Sequence, residues 1–272
     1  MGPDPILPLK RYQAFPTLFV PPQGGGMEIY MFDLHGKVAL ITGSTQGIGL
    51  AIAKQFHEAG AEVIIHGATS EEKCIKAMNE VGCRRYVTKN LAEPDAADFI
   101  YEKTGDVDIL VLNASVQYRK TWIEITPEEF ETQINVNLKA SLAMIQKYYP
   151  YMKDQTWGRI LTIGSVQQYR PHKDMAVYAA SKCGLMSMVK NVAKQIAPYG
   201  VTINNLCPGA IATPRNADAV ADEEYLKKVL AGIPAGRMGL AEDCAPAALY
   251  LCSEEASYVT GSEIIVDGGM YL

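Results

Sequence analysis

Short, near-continuous apolar runs recur along the chain: Val38–Ile41, Val63–Ile65, Arg85–Thr88, Ile109–Leu112, Ile160–Ile163, Thr202–Leu206 and Ile264–Val266. Helix-length segments lie between them, among them Ile48–Ala59, closed by Gly60, and Pro127–Tyr148. A strand that is apolar throughout, rather than at alternate positions, must bury both faces, and parallel strands need a long crossover between them. The pattern therefore predicts an α/β chain: one doubly wound parallel sheet of about seven strands, with helices on both faces, in a single domain over residues 32–272. In such sheets ligands bind beyond the carboxyl ends of the strands. Gly43, Asn113, Ser165 and Pro208 each follow a strand directly, so they are expected to converge on one crevice.

The first of these strand ends runs Thr42-Gly43-Ser44-Thr45-Gln46-Gly47-Ile48-Gly49 and opens an alanine-rich helix. Glycine permits a tight turn and a close approach of backbone to ligand. The helix start offers free N–H groups and the positive end of a dipole to a pyrophosphate. The spacing is Gly-x-x-x-Gly-x-Gly, which differs from the Gly-x-Gly-x-x-Gly of the commonest dinucleotide fingerprint.

A second constellation lies in Ser165–Lys182, reading SVQQYRPHKDMAVYAASK. Tyr178 and Lys182 are four residues apart, so on a helix they share a face. A phenol has an ordinary pKa of about 10, and an adjacent ammonium lowers it while a hydroxyl opposite holds a substrate oxygen. Two other pairs have this spacing, Tyr149/Lys153 around Pro150 and Tyr169/Lys173 around Pro171. Proline disrupts a helix interior, so neither rival is expected to share a helical face.

Together these motifs resemble the short-chain dehydrogenase/reductase family in its short, single-domain form, from about residue 33 to the C-terminus. The resemblance is carried by the glycine loop, by Asn137 within Asn135-Val-Asn-Leu138, by Ser165, Tyr178 and Lys182, by Pro208-Gly209, by Thr213 and by Val266-Asp-Gly-Gly269. It implies a Rossmann fold and an NAD(P)(H)-dependent oxidoreductase moving hydride between a nicotinamide and a secondary alcohol or ketone. Asn137, Ser165, Tyr178 and Lys182 would be catalytic. Tyr178 would exchange the proton and Ser165 hold the substrate oxygen. Lys182 would lower the Tyr178 pKa and bind the ribose, and Asn137 would hold a water that links Lys182 to solvent.

Implied cofactor contacts are Gly43, Ser44, Thr45, Gln46, Gly47, Ile48 and Gly49, then Gly67, Ala68, Thr69, Asn90, Leu91, Asn113 and Ala114, and finally Tyr178, Lys182, Pro208, Gly209, Ile211 and Thr213. The chain departs from the family in two places. Leu112-Asn-Ala-Ser115 replaces the common Asn-Asn-Ala-Gly, and Asn90-Leu91 stands where an aspartate often contacts adenine.

NAD-preferring relatives usually end the second strand with an acid, whereas this chain has Gly67 there. NADP-preferring ones often have arginine at the positions of Gln46 or Ala68. The missing carboxylate removes repulsion toward a 2′-phosphate, and Thr69, Ser70 or Lys73 could donate to one, so NADP is the expected cofactor with NAD as the alternative. Loops at residues 116–120, 167–173 and 211–239 are expected to rim the substrate pocket. Gln117, Arg119, Gln168 and His172 favour a hydroxylated or acidic substrate, with Gln117, Gln168, Ser165 and Tyr178 in contact with it. The opening Phe32-Asp-Leu-His-Gly-Lys37 is similar to that of sugar-acid dehydrogenases, while a 3-oxoacyl-thioester reductase is the competing reading. A redox-inactive nucleotide-binding protein is the alternative from another class.

A formal net charge of −5 and the absence of a basic stripe give no footprint for nucleic acid. No apolar run approaches the roughly 18 residues of a spanning helix, so no membrane partner is expected. The six cysteines and four histidines lack metal-site spacing, which points to no metal and to buried thiols in a reducing, cytoplasmic setting. Residues 1–31, with six prolines before Gly24-Gly-Gly26, read as a flexible extension, and Pro16 splits the only apolar stretch that could serve a signal peptide. The family resemblance further implies a homo-oligomer, tetramer or dimer, acting on a small molecule.

Overall fold

Alternate residues of the central strands point to opposite faces of one sheet, and both sets are apolar. Leu40, Ile64 and Leu110 enter one core cluster, while their neighbours Ile41, Ile65 and Val111 enter the other. This is the period-2 geometry of a strand with no wet face. A computed structural model describes residues 31–217 and 221–272, so the expected N-terminal extension lies, but for residue 31, outside the described residues. Residues Phe32–Leu272 form one compact unit.

The strands are β1 Val38–Ile41, β2 Glu62–Gly67, β3 Arg85–Thr88, β4 Ile109–Leu112, β5 Gly158–Ile163, β6 Val201–Pro208 and β7 Glu263–Val266. All pair in parallel, in the order β3-β2-β1-β4-β5-β6-β7. The described helices of regular α type are α1 Gly47–Glu58, α2 Glu71–Val81, α3 Ala96–Thr104, α4 Pro127–Ile134, α5 Ala140–Asp154, α6 Ala176–Ile196, α7 Glu223–Ala231 and α8 Ala241–Cys252. One face of the sheet carries α1 and α8, with Ile52, Phe56 and Leu249 in its core; the other carries α3, α5 and α6, with Ile100, Tyr148 and Val189. The chain order reverses between β1 and β4, and a crevice opens at their carboxyl ends.

The seven strands begin and end within two residues of the positions expected from the apolar runs. The long helix expected over residues 127–148 is instead α4, a π-turn over Asn135–Lys139, and α5. A π-turn inserts an extra residue per turn and is often found at functional sites. Here it bears Asn137. Pro150 does not end α5, which continues to Asp154. Tyr149 and Lys153 therefore do lie on one helix, contrary to expectation. The packing of Met144, Tyr148 and Met152, all at 0% exposure, holds the helix across the proline. The pair still forms no site, because the Lys153 ammonium rests over the Tyr199 ring at 4.5 Å.

Candidate active site

A cleft of about 420 Å³ opens at the carboxyl edge of the sheet. At its β1 end the glycine loop is shaped by what surrounds it. Gly43 has φ +64°, and a Cβ there would come within 2.9 Å of the Ala114 Cα. A Cβ on Gly49 would lie 2.5 Å from Asn113 Nδ2. Asn113 reaches across from the end of β4, donating through Nδ2 to the carbonyls of Thr42 at 2.9 Å and Gly43 at 3.0 Å. Thr42 Oγ1 accepts from the Asn113 and Ala114 N–H groups.

His66, at the end of β2, accepts from the Gly43 N–H at Nδ1 (3.1 Å) and donates from Nε2 to the Lys89 carbonyl (3.0 Å). Burial pushes its pKa down to about 4, so the ring is neutral and serves as a fixed strut. Nothing in the glycine-loop motif announced this histidine. Its role depends on β1 and β2 pairing in the register that sets Ile41 against Ile65.

Ser165 follows β5 and caps a short 3-10 turn, Val166–Gln168. Its Oγ accepts from the Gln167 N–H, and its own N–H donates to Gln168 Oε1 at 2.9 Å. Gln168 Nε2 donates to Glu263 on β7 at 3.0 Å, and Tyr169 Oη and Asn205 Nδ2 also donate to Glu263. Three strands thus brace the Ser165 turn.

Tyr178 and Lys182 lie on one face of α6, both buried, with the Lys182 ammonium 5.7 Å from the Tyr178 ring centroid. Lys182 Nζ donates to the Ile163 carbonyl at 2.6 Å. Asn137, on the π-turn, accepts from the Val116 N–H and donates to the Val116 carbonyl and to Ser181 Oγ, at 2.8, 2.9 and 3.0 Å. Ser181 in turn donates to the Tyr178 carbonyl. Asn137 thereby ties the loop after β4 to the helix that carries the tyrosine.

Burial raises the Tyr178 pKa; the Arg215 guanidinium and the Ser165 hydroxyl beside it act in the opposite direction. Burial, and then repulsion from Arg215, bring Lys182 itself down to about 7. The phenol is therefore protonated at neutral pH, and the ammonium is poised to change charge.

Most expected site residues line the cleft: Gly43, Thr45, Gln46, Gly47, Ile48, Gly67, Ala68, Asn90, Leu91, Asn113, Ala114, Gln117, Ser165, Tyr178, Lys182, Pro208, Gly209, Ile211 and Thr213. Ser44, Gly49, Thr69, Asn137 and Gln168 do not. Ser44 is buried, its Oγ donating to the Ile41 carbonyl and accepting from His66 N–H. Ser70, another expected phosphate donor, has its hydroxyl engaged as the N-cap of α2.

Gln168, expected to contact the substrate, does not line the cleft. Gln168 is consumed by the Ser165 turn and Glu263, whereas Gln167 faces the cleft with its Oε1 buried and without a hydrogen-bond partner among the described residues. The sequence also left unremarked Ser115, Arg215 and Tyr225 as an assembly. Arg215 donates to Ser115 Oγ (2.9 Å) and to the Ser115 carbonyl (2.7 Å), and Arg119 donates to Tyr225 Oη (2.9 Å). Cys183, expected among buried thiols, is exposed.

A family model described as enoyl-(acyl carrier protein) reductase matches residues 43–271. The chain is 38% identical over 248 residues to a 3-oxoacyl-(acyl-carrier-protein) reductase of Aquifex aeolicus, covering 88% of this chain and 98% of that protein. The chain belongs to the short-chain dehydrogenase/reductase family. It is accordingly an oxidoreductase. A solved 3-oxoacyl-(acyl-carrier-protein) reductase of Agrobacterium tumefaciens with NADP bound superposes with a TM-score of 0.84 at 36% identity, covering 88% of this chain and 95% of that one. A putative NAD(P)-dependent gluconate 5-dehydrogenase of Beutenbergia cavernae, also with NADP, gives 0.82 at 33% identity, covering 88% and 98%.

Proposed function

We propose that this oxidoreductase uses NADP(H) to interconvert a secondary alcohol and a ketone on a polar substrate such as a sugar acid or polyol. The observation that carries the reaction type is the convergence of Ser165, Tyr178 and Lys182 on the same cleft as the glycine loop. The cleft's volume lies within the range of cofactor pockets. Among the described residues, its lining also lacks the carboxylate that would oppose the phosphorylated cofactor. A Cβ at Gly67 would come within 2.5 Å of Cys74 Sγ and 3.0 Å of Thr45 Cγ2, so there is no room for the carboxylate that would repel a 2′-phosphate. No Asp or Glu lines the cleft among the described residues.

Gly43, Thr45–Ile48, Ala68, Asn90, Asn113, Lys182 and Thr213 would hold the cofactor, whose nicotinamide supplies or accepts the hydride. Tyr178, protonated at neutral pH, gives its proton to the carbonyl oxygen as the ketone is reduced and takes it back in the reverse direction. The Ser165 hydroxyl donates to the same oxygen and orients it. Lys182, on the same helical face as the phenol, would bind the cofactor ribose, and Asn137 fixes α6 against the loop after β4. Gln167 Oε1, an acceptor without a partner among the described residues, supports a substrate that brings its own hydroxyl hydrogens.

A second reading, reduction of 3-oxoacyl thioesters, has its own support. Met175, Leu226, Val229, Met238 and Met270 give the outer wall an apolar strip, and several relatives carry that activity in their names. An absorbance assay at 340 nm with NADPH and with NADH, against keto-sugar acids, ketoses and acetoacetyl thioesters, tests both. Faster turnover of keto-sugar acids with NADPH is expected. Turnover confined to thioesters would transfer the assignment to the second reading, and a clear NADH preference would overturn the cofactor.

A further inference from the structure

The cleft has a lopsided charge. Arg119, Lys182 and Arg215 line it, yet no Asp or Glu does among the described residues, in a chain whose net charge is −5. Lys182 is buried, whereas the two arginines are exposed and line the cleft from segments outside the sheet. Burial and the Arg119 charge hold the His172 pKa below its ordinary value, so this ring adds polarity to the same wall but no charge at neutral pH.

The two arginines are held differently. Arg119 lies against the Tyr225 ring, 5.2 Å from its centroid, and donates to the Tyr225 hydroxyl, so its partner rides on α7. Arg215 is braced at two points by one residue, Ser115, through Oγ and the backbone carbonyl. Ser115 directly follows Asn113-Ala114, which close on the glycine loop, and precedes Val116, whose backbone is gripped by Asn137. Arg215 is therefore anchored to a loop that is itself tied to Thr42 and to Asn137. Both of its described partners are neutral oxygens, so its charge is not spent on a carboxylate within this chain's described residues. Its guanidinium fork keeps further N–H donors beyond the two that Ser115 takes, and its charge is available to an anion in the cleft. It also stands close enough to Tyr178 to act on the phenol's ionisation.

We propose that Arg215, braced by Ser115, is the specificity-determining residue of this site and binds a substrate carboxylate close to the carbon that exchanges hydride. The proposal rests on the hydride-transfer reading for the position of the reacting carbon, but not for the charge preference itself. It separates the two substrate readings by charge. An acid neutralises Arg215, whereas a thioester offers the same fork only a neutral carbonyl oxygen. Ser115, standing where relatives commonly have glycine, supplies the Oγ half of the brace, which glycine could not.

The test compares D-gluconate with D-gluconamide, which differ in charge but hardly in shape, by calorimetric titration into the enzyme saturated with NADPH. No hydride can flow from an alcohol in that complex, so binding is read without turnover. The wild-type enzyme is expected to bind gluconate about tenfold more tightly than the amide, the scale of one charge-assisted hydrogen bond at an exposed site. Arg215→Gln should abolish that preference, Arg215→Lys should keep part of it, and Ser115→Gly should weaken it, with NADPH affinity unchanged throughout. An equal affinity of the wild type for the two ligands, failure to bind either, or a preference that survives Arg215→Gln and vanishes in Arg119→Gln, would overturn the proposal. The turnover assay above reports separately. An enzyme that reduces only thioesters but retains an Arg215-dependent preference for gluconate would break the sugar-acid reading and leave the anion site standing.

Discussion

At the β1 end of the cleft, Gly43, Asn113 and His66 are locked by backbone groups and neutral hydrogen bonds; elsewhere on its lining, two arginines bridge distant segments, Arg215 to Ser115 and Arg119 to Tyr225 on α7. The first region is assembled from strand ends that the sheet register brings together. The second joins residues about a hundred positions apart. Geometry is thus fixed where a cofactor common to many enzymes would bind, and charge is displayed where substrates differ. Rigid backbone gives little scope for variation, whereas exposed loop side chains can change without disturbing the sheet.

The sharpest way to break this division is at the residue where the two regions meet. Tyr178→Phe is expected to lower turnover by roughly a hundredfold to ten-thousandfold, the usual contribution of a positioned acid–base group. NADPH affinity, by fluorescence titration, should stay within about twofold. Wild-type turnover in this variant would remove Tyr178 from the chemistry.

Acid should find the strut of the β1 end next. His66 has its pKa lowered from 6.5 to about 4 by burial, so the unfolded chain takes up the proton first as pH falls. The stability involved is fully present above pH 6.5 and is lost as pH falls toward 4. It is on the order of 3 kcal/mol. Thermal melts across that window should show a falling Tm, with a shallower fall in His66→Gln. An identical slope in both proteins would mean that other groups set acid stability.

A smaller effect is expected from Gly43→Ala, which forces a side chain into φ +64° and against Ala114. The left-handed conformation costs roughly 1–2 kcal/mol. That should weaken NADPH by about tenfold or lower the melting temperature by a few degrees, while leaving the gluconate-to-gluconamide ratio untouched. A changed ratio would show the two regions to be coupled.

The smallest signal concerns Lys182, held down to about 7 without cofactor. The phosphates of NADPH favour its charged form, so binding at pH 8 should draw in a fraction of a proton, visible as a buffer-dependent heat. Lys182→Met should erase that uptake. Buffer-independent heats in the wild type would place the ammonium at full charge already.

Much of this was legible in the sequence. Apolar runs such as Ile109–Leu112 mark their own strands because a strand buried on both faces admits few polar residues. Gly43 and Gly47 mark their loop because positive φ there excludes other residues. Tyr178 and Lys182 declare a shared helical face by spacing alone. The π-turn at Asn137 was not legible, since the apolar pattern of a helix hardly changes when one residue is inserted into a turn. Nor could spacing decide between Gln167 and Gln168. Both follow Ser165, and only the approach of Glu263 from β7 makes one of them structural.

By itself, then, the sequence determined the sheet, its succession of strands and helices and the glycine loop, because each depends on backbone geometry or local periodicity; Ser165, Tyr178 and Lys182 stood out through the family resemblance. Tertiary structure alone decided that His66 props the loop and that Tyr178 is buried beside Arg215 and Ser165, burial raising its pKa. It also decided that Ser115 and Arg215 form one unit. Those outcomes turn on desolvation and on contacts between distant segments, which no local pattern encodes.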